Sequence, residues 1–160
     1  GYDYERRVRE YSKLLKVDTY FVSNIINEQR GKTKNGRKVY TLKDIYPHAD
    51  LITYPSNFEG FGNAFLEAVY FCRPIVVNTY SIYTIDIKPK GFSVIEIDGY
   101  VTDEAVRKTK KVLTNPELRK NMVTHNYETA RKYYSYSVLG KKLKDIISDC
   151  TACQKLKNAD

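Results

Sequence analysis

The segment 59–68, EGFGNAFLEA, decides the fold of this chain. Two glutamates, Glu59 and Glu67, flank a glycine-rich corner and the start of an apolar helix. The preceding segment 49–56 predicts a strand that runs into a loop. The following segment 73–78 predicts a turn and then a buried strand. The expected unit is therefore strand, glycine corner, helix and strand.

The N-terminus of the helix after the glycine corner is the first candidate binding site. Its leading backbone N–H groups have no partner inside the helix, and together with the helix dipole they favour a phosphate group. Glu59 would lie beside that phosphate, and Glu67 about one helical turn further into the helix. A carboxylate can accept hydrogen bonds from both hydroxyls of a diol. The pattern therefore indicates a ligand with a sugar on one side of a phosphate and a ribose on the other.

At these residues the chain resembles the retaining glycosyltransferases of family 4, which have the GT-B fold. Their Glu-x7-Glu element, commonly E-G-F-G-x-x-x-x-E-A, is complete at residues 59–68. A neighbouring family pattern is also present. It consists of L-x-x-x-Y-x-x-A-D, then hydrophobic residues, then P-S. The short segment that precedes the next strand in the family is present as well. These positions are Leu42, Tyr46, Ala49, Asp50, Pro55, Ser56 and the segment 72–76. The resemblance extends over residues 11–147.

The resemblance implies one half of a two-domain enzyme. Residues 1–150 would form the C-terminal, nucleotide-sugar-binding domain, with the N-terminal acceptor domain outside this chain. The implied donor is a UDP-, GDP- or ADP-sugar, from which a hexose is transferred, and neither a metal nor another cofactor is expected. Because such a reaction takes place in the cleft between two domains, the isolated chain is expected to be inactive.

The resemblance also assigns roles to individual residues. Glu59 is expected to contact hydroxyls of the donor sugar and is the catalytic candidate, and Glu67 is expected to bind the ribose hydroxyls. Backbone amides between them would meet the sugar and the β-phosphate. These amides belong to Gly60, Phe61, Gly62, Asn63 and Ala64. The nucleotide base is expected near Val39 and Tyr40.

Each position also has a purely structural interpretation. Glu59 could be a solvated loop carboxylate, and Glu67 could pair with Arg73. Because the helix that carries Glu67 is apolar nearly all round, a carboxylate in it needs a partner. Gly60 and Gly62 could form a plain tight turn.

Two features depart from the family pattern. Residues 79–83, TYSIY, stand where the family often has a glycine-rich segment and a glutamate, which leaves the donor sugar open. The Arg and Lys that clamp the diphosphate in the family have no assigned counterpart here. His48 is expected to end a helix rather than to act as a base.

The chain has 27 basic and 19 acidic residues and a formal charge of +8. This charge favours an anionic partner, such as a nucleotide-sugar, a membrane surface or a nucleic acid. A basic module that binds nucleic acid or a membrane without catalysis is the alternative interpretation. The basic residues are spread over several helices without a nucleic-acid-binding motif, so no nucleic-acid partner is expected. A peripheral membrane contact through the basic last helix stays open.

The cysteines argue against a metal site. Cys150 and Cys153 have no second pair, and a zinc site needs about four ligands. Their odd number with Cys72 fits a reducing compartment, and a cytoplasmic location is expected, with or without peripheral membrane contact.

The remaining pattern alternates strands and helices. It predicts an α/β fold with a Rossmann-like parallel sheet sandwiched by helices. Predicted helices are 4–16, 42–46, 63–72, 103–113, 116–133 and a last one that begins after Ser135 or Ser137. Predicted strands are 19–22, 51–54, 75–78 and 92–97, with a loop over 27–38 and a frayed tail over 151–160.

Overall fold

The computed structural model describes residues 2–157, and the side chains of residues 3–149. Its contacts divide the chain into two units, Gly1–Ile45 and Tyr46–Asp160. The backbone of the last helix runs to Lys157, and residues 158–160 lie outside the described part. The expected frayed tail therefore stays a prediction, as do the domain boundaries.

The first unit begins with helix α1, Tyr2–Leu15, which confirms the helix predicted over 4–16. Ion pairs one turn apart, Arg6 with Asp3 and Arg9 with Glu5, support its exposed face. The strand predicted over 19–22 is wrong, because this segment is irregular and pairs with no strand among the described residues. Thr19, Tyr20 and Val22 are exposed, Tyr20 to 88%, and the Phe21 ring packs against the Arg9 guanidinium on α1 at 3.8 Å.

The loop predicted over 27–38 is also partly wrong. It contains a short antiparallel hairpin of β1, Gly31–Lys32, and β2, Lys38–Val39. Gly36 provides the positive φ of 77° that its turn requires. Since both strands are largely exposed, their residues carry no alternation of apolar and polar side chains that would predict them.

Helix α2, Leu42–Ile45, follows the hairpin in the first unit. A side chain in the first turn of this helix bonds back to Thr41, the residue that precedes the helix. The Asp44 carboxylate accepts the Thr41 N–H at 2.9 Å and also pairs with Arg30. The hydrogen bond from Arg30 is the main reason why the pKa of Asp44 is lowered. The side chain of Asp44 thus satisfies a backbone N–H group at the N-terminus of its own helix.

The second unit contains the predicted α/β fold. Strands β3, Ile52–Tyr54, β4, Ile75–Asn78, and β5, Ile95–Ile97, form a parallel sheet in the order β3-β4-β5. Its helices are α3, Asn63–Tyr70, α4, Asp103–Thr114, α5, Pro116–Tyr134, and α6, Tyr136–Lys157. The helices flank a three-stranded parallel sheet, so the predicted fold class is confirmed.

Both faces of the central strand β4 are buried. Ile75 and Val77 of β4 pack into a cluster with Phe65 and Val69 of α3. Val76 points to the other face, where it packs with Ala105 and Val112 of α4. Because side chains alternate along a strand, a strand that is covered on both faces is apolar at successive positions. This explains why β4 could be predicted at its correct length.

Strand β5 is shorter than the 92–97 prediction, for a specific reason. The backbone N–H and C=O of Ser93 are bound by the side chain of Asn126 on α5, at 2.7 Å each. Ser93 therefore bonds to a helix instead of a neighbouring strand. Upstream, residues 83–90 form a π-helix, Tyr83–Ile87, and a 3₁₀ helix, Lys88–Lys90, which were not predicted.

The predicted starts of the later helices are confirmed by their caps. Thr102 accepts the Ala105 N–H at 3.1 Å, and Asn115 accepts the Leu118 N–H at 2.9 Å before Pro116. Ser135 accepts from Val138 at the start of α6. No helix of the described residues is long and apolar enough to cross a membrane.

Candidate functional site

The glycine corner connects β3 to α3 at the carboxyl edge of the parallel sheet. Ligands of open α/β sheets bind at this edge. Asn78, at the end of β4 and 5% exposed, fixes the loop there. Its amide nitrogen donates to Ser56 O at 3.2 Å and to Asn57 Oδ1 at 2.7 Å, and its oxygen accepts the Gly99 N–H at 2.8 Å. Asn78 is not among the residues predicted for the site, although a polar residue at the end of an apolar strand is a signal for such a position.

The two glycines of the corner have different surroundings. Gly62 has φ of +93°, and a Cβ at this position would lie 2.3 Å from the Tyr80 hydroxyl oxygen. The fold therefore requires glycine at position 62 for two reasons. A Cβ on Gly60 would meet nothing within 4 Å, and its φ lies outside the left-handed region. The tight-turn interpretation thus accounts for Gly62 but not for Gly60.

Tyr80 supports the corner from behind. It is 2% exposed, its hydroxyl donates to the Phe61 carbonyl at 3.0 Å, and its ring packs edge-on against Tyr54 at 6.0 Å. Burial, followed by the nearby charge of Glu59, raises the pKa of Tyr80 to about 12. Tyr80 belongs to the 79–83 segment, which departs from the family pattern. Its ring is part of the buried core cluster next to the corner.

Glu59 is half-buried beside two tyrosines rather than fully solvated. Burial, and next a hydrogen bond with the Glu59 carboxylate, raise the pKa of Tyr54. The same carboxylate contributes to the raised pKa of Tyr80. The interpretation of Glu59 as a freely solvated loop residue is therefore wrong, while its catalytic role stays a prediction.

Glu67, the fifth residue of α3, has a phenol as its partner. The Tyr46 hydroxyl donates to Glu67 Oε2 at 3.0 Å, and the Tyr46 ring stacks on Phe71 at 5.0 Å. Burial and this carboxylate raise the pKa of Tyr46 to about 12. Arg73 donates instead to the carbonyls of Phe71 and Ala49, and forms no ion pair with Glu67 within the described chain. The carboxylate is thus oriented but not neutralised.

The N-terminus of α3 differs from those of α4 and α5. Its cap position is Gly62, which has no side chain, and the first turn contains no acidic residue. Within the described residues, Phe65 N–H reaches the Gly62 carbonyl at 2.9 Å, and no side chain caps the helix. Asn63 is exposed at this end. Two oriented carboxylates therefore flank a helix N-terminus without a side-chain cap, which is an arrangement that can bind a phosphate with hydroxyls on both sides.

The motif lies inside the region that a family model matches. The model for glycosyl transferases group 1 matches residues 31–129, which is more than half of the chain. The chain belongs to this family.

Two curated relatives are similar to the chain. A mannosylglucosylglycerate synthase of Thermotoga maritima is 29% identical over 159 residues, which is 91% of this chain and 34% of the relative. A mannosylglucosylglycerate synthase of Petrotoga mobilis is 37% identical over 95 residues, which is 59% of this chain and 21% of the relative. The chain thus spans about a third or less of the length of these relatives.

Of the other residues singled out in this group 1 glycosyltransferase chain, two belong to the first unit and His48 belongs to the second. Val39 ends β2, and Tyr40 bridges to Ile26 in the first unit. Their contact with a nucleotide base stays a prediction. His48 is the last residue of a 3₁₀ helix, Tyr46–His48, so its predicted position at a helix end is confirmed. Among the described side chains, no group of three or more His, Cys, Asp or Glu residues could hold a metal ion.

Proposed function

We propose that this chain is the C-terminal, donor-binding domain of a family 4-like, retaining glycosyltransferase. It binds a UDP-, GDP- or ADP-sugar, and the enzyme transfers the hexose to an acceptor that an N-terminal domain holds. The donor-binding domain comprises residues 1–150, and neither a metal nor another cofactor takes part. We place the enzyme in the cytoplasm.

One observation carries this proposal. Glu59 and Glu67 flank the N-terminus of α3, which receives no side-chain cap among the described residues. The backbone at Gly60 borders open space that the fold does not use. Since glycine lets a ligand approach the backbone closely, position 60 fits a contact with the donor and not a steric need of the fold.

The roles follow from this arrangement. Glu67, oriented by the Tyr46 hydroxyl, accepts the two ribose hydroxyls. The backbone amides of residues 60–64 and the dipole of α3 stabilise the negative charge that develops on the departing diphosphate. Glu59 binds hydroxyls of the hexose beside the reacting carbon and is the catalytic candidate.

The relatives supply the product class that we propose for the whole enzyme. Both are named mannosylglucosylglycerate synthase, so each name describes a glycosylated glycerate. We propose that the enzyme to which this chain belongs adds a hexose to a related acidic carbohydrate. The identity of the donor sugar is left to experiment, because the segment 79–83, which departs from the family pattern, lies beside the corner.

Calorimetric titration of the folded chain with UDP-, GDP- and ADP-sugars in EDTA tests the proposal. We expect one nucleotide-sugar to bind, with the same affinity after Mg²⁺ is added. Glu67→Gln should weaken this binding, whereas Glu128→Gln, an exposed position on α5, should not. Failure of all three donors at millimolar concentration, with a folded protein, would refute the proposed function.

A further inference from the structure

A second concave surface borders the glycine corner. It has a volume of about 500 Å³. It lies between Phe61, the two short helices that follow β4, the end of α5 and the start of α6. We call it the tyrosine–lysine cavity, after its aromatic and charged lining residues. They are Phe61, Asp86, Lys90, Tyr133, Tyr134 and Lys142. Of the proposed donor contacts only Phe61 lines it; neither Glu59 nor Glu67 does, so the cavity is distinct from the proposed hexose and ribose contacts.

The charges in the cavity leave one lysine without a close counter-ion. Lys90 Nζ pairs with Asp86 Oδ1 at 2.7 Å, and the Tyr134 hydroxyl donates to Asp86 Oδ2 at 3.3 Å. The hydrogen bond from Lys90 is the main cause of the lowered pKa of Asp86, which keeps this carboxylate ionised at neutral pH. Lys142 forms no salt bridge within the described residues, although it lies close enough to Asp86 for an electrostatic effect. The cavity therefore carries an excess of one positive charge, which attracts an anionic group.

The aromatic residues give the cavity apolar walls. The rings of Phe61 and Tyr134 meet edge to face at 5.4 Å, and Lys90 Nζ lies 5.2 Å from the Tyr134 ring centre and 6.0 Å from that of Tyr133. Small-molecule sites combine apolar and aromatic walls with a few polar groups in volumes of roughly 300–1,000 Å³. A sugar matches such walls, because its C–H faces are apolar and its hydroxyl edges can bond to Asp86 and Ser135.

We propose that the tyrosine–lysine cavity binds a carbohydrate that carries a carboxylate or a phosphate group. Lys142 contacts the anionic group, the Asp86–Lys90 pair contacts the hydroxyls, and the aromatic residues contact the ring. Phe61 belongs to both the glycine corner and this cavity, so the bound carbohydrate lies next to the donor loop. The inference goes beyond the proposed function: the acceptor proposed above is held by the N-terminal domain, and this cavity is a separate carbohydrate site on the present chain.

Titration of the folded chain with four probes tests the cavity: glucuronate, glucose 6-phosphate, glucose and inorganic phosphate. Amide shifts of Lys90, Tyr133 and Tyr134 in ¹H–¹⁵N spectra report the location, because these residues line the cavity and are not among the proposed donor contacts. At least one charged sugar should bind more tightly than glucose and than inorganic phosphate. Comparison of glucuronate with glucose 6-phosphate identifies the preferred anionic group.

Charge reversal on neighbouring positions of α6 provides the matched control. Lys142→Ala should weaken binding of the charged sugar by about two- to fivefold, as expected for an exposed charge pair. Lys142→Glu should weaken this binding by more. Lys141→Glu makes the same change in net charge on a residue that does not line the cavity, and should have little effect. Binding of glucose should be the same in all these variants.

Three results would overturn the proposal. These are no binding of either charged sugar, equal losses in Lys141→Glu and Lys142→Glu, or inorganic phosphate that binds as tightly as the preferred charged sugar. The test is independent of the donor site, since none of these probes needs Glu67. Lysine-dependent sugar binding without nucleotide-sugar binding would refute the proposed function and retain the cavity, and the reverse result would refute only the cavity.

Discussion

The side chain of Tyr80 lies directly behind the glycine corner, with its hydroxyl 3.0 Å from the carbonyl oxygen of Phe61. A Cβ on the next residue, Gly62, would lie 2.3 Å from the same hydroxyl oxygen. One buried phenol therefore both holds the corner by a hydrogen bond and excludes any side chain from its central position. The conformation of the corner depends on a residue that is distant in sequence and lies after the next strand.

Tyr80→Phe should retain the fold and loosen the corner. It removes the donor to the Phe61 carbonyl at a buried position, so the free energy of unfolding should fall by about 1 kcal/mol. Urea denaturation measures this loss. Tyr100→Phe, at a position that is 71% exposed, is the control and should change nothing. Equal stability of Tyr80→Phe and the parent chain would show that this hydrogen bond does not support the corner.

The two corner glycines should respond differently to alanine. Gly62→Ala places a Cβ against Tyr80 at a positive φ, so it should lower stability by about 1–3 kcal/mol. Gly60→Ala meets open space and should leave the stability nearly unchanged, while it weakens nucleotide-sugar binding. Thermal denaturation and calorimetry measure the two effects. If Gly60→Ala binds the donor normally, no ligand approaches the backbone at position 60.

Glu67→Gln and Glu59→Gln should separate the two ends of the donor. Glu67→Gln should weaken the binding of the free nucleoside diphosphate and of the nucleotide-sugar alike, because both ligands contain the ribose. Glu59→Gln should weaken only the binding of the nucleotide-sugar. Hydrogen bonds to a charged group are worth roughly 1.5–3 kcal/mol, so each loss should be about tenfold or more. Calorimetry with both ligands measures the contrast, and equal effects on the free nucleotide would contradict the assigned roles.

Asn126→Ala should be the most destabilising of these changes. Asn126 is 1% exposed and is the partner of both backbone groups of Ser93 at 2.7 Å. Each buried group left without a partner costs about 1–3 kcal/mol. Asn121→Ala, at an exposed position of the same helix, should cost little. Urea denaturation of the two variants gives the comparison, and similar losses would mean that Ser93 finds other partners.

Alkaline pH should destabilise the second unit. The pKa values of Tyr46 and Tyr80 are raised to about 12 by burial and by the neighbouring glutamates. A raised pKa means that the folded state favours the protonated phenol. Its stabilising contribution is complete below the unfolded pKa of about 10 and is lost as the pH rises through the folded pKa. Urea denaturation at neutral pH and near pH ~11 should show this loss, and it should be smaller in Tyr80→Phe.

The sequence determined those parts of the molecule whose signal is local. The fully buried strand β4 is a continuous apolar segment, and α4 and α5 begin at cap residues that bond three positions ahead. The Glu59–Glu67 motif likewise lies within one short segment. Such patterns depend on side-chain alternation and helix capping, which neighbouring residues alone decide.

Only the tertiary structure decided which residues hold the motif in place. The partner of Glu67 is Tyr46, 21 positions away, and the partner of the Phe61 carbonyl is Tyr80, 19 positions away. Asn126, 33 positions away, binds the backbone of Ser93, and the predicted strand therefore begins later than expected. No local propensity encodes these contacts, because they form when the parallel strands and their helices bring distant segments together. The sequence by itself determined the motif and the fold class, and packing at the sheet edge decided the geometry of the site.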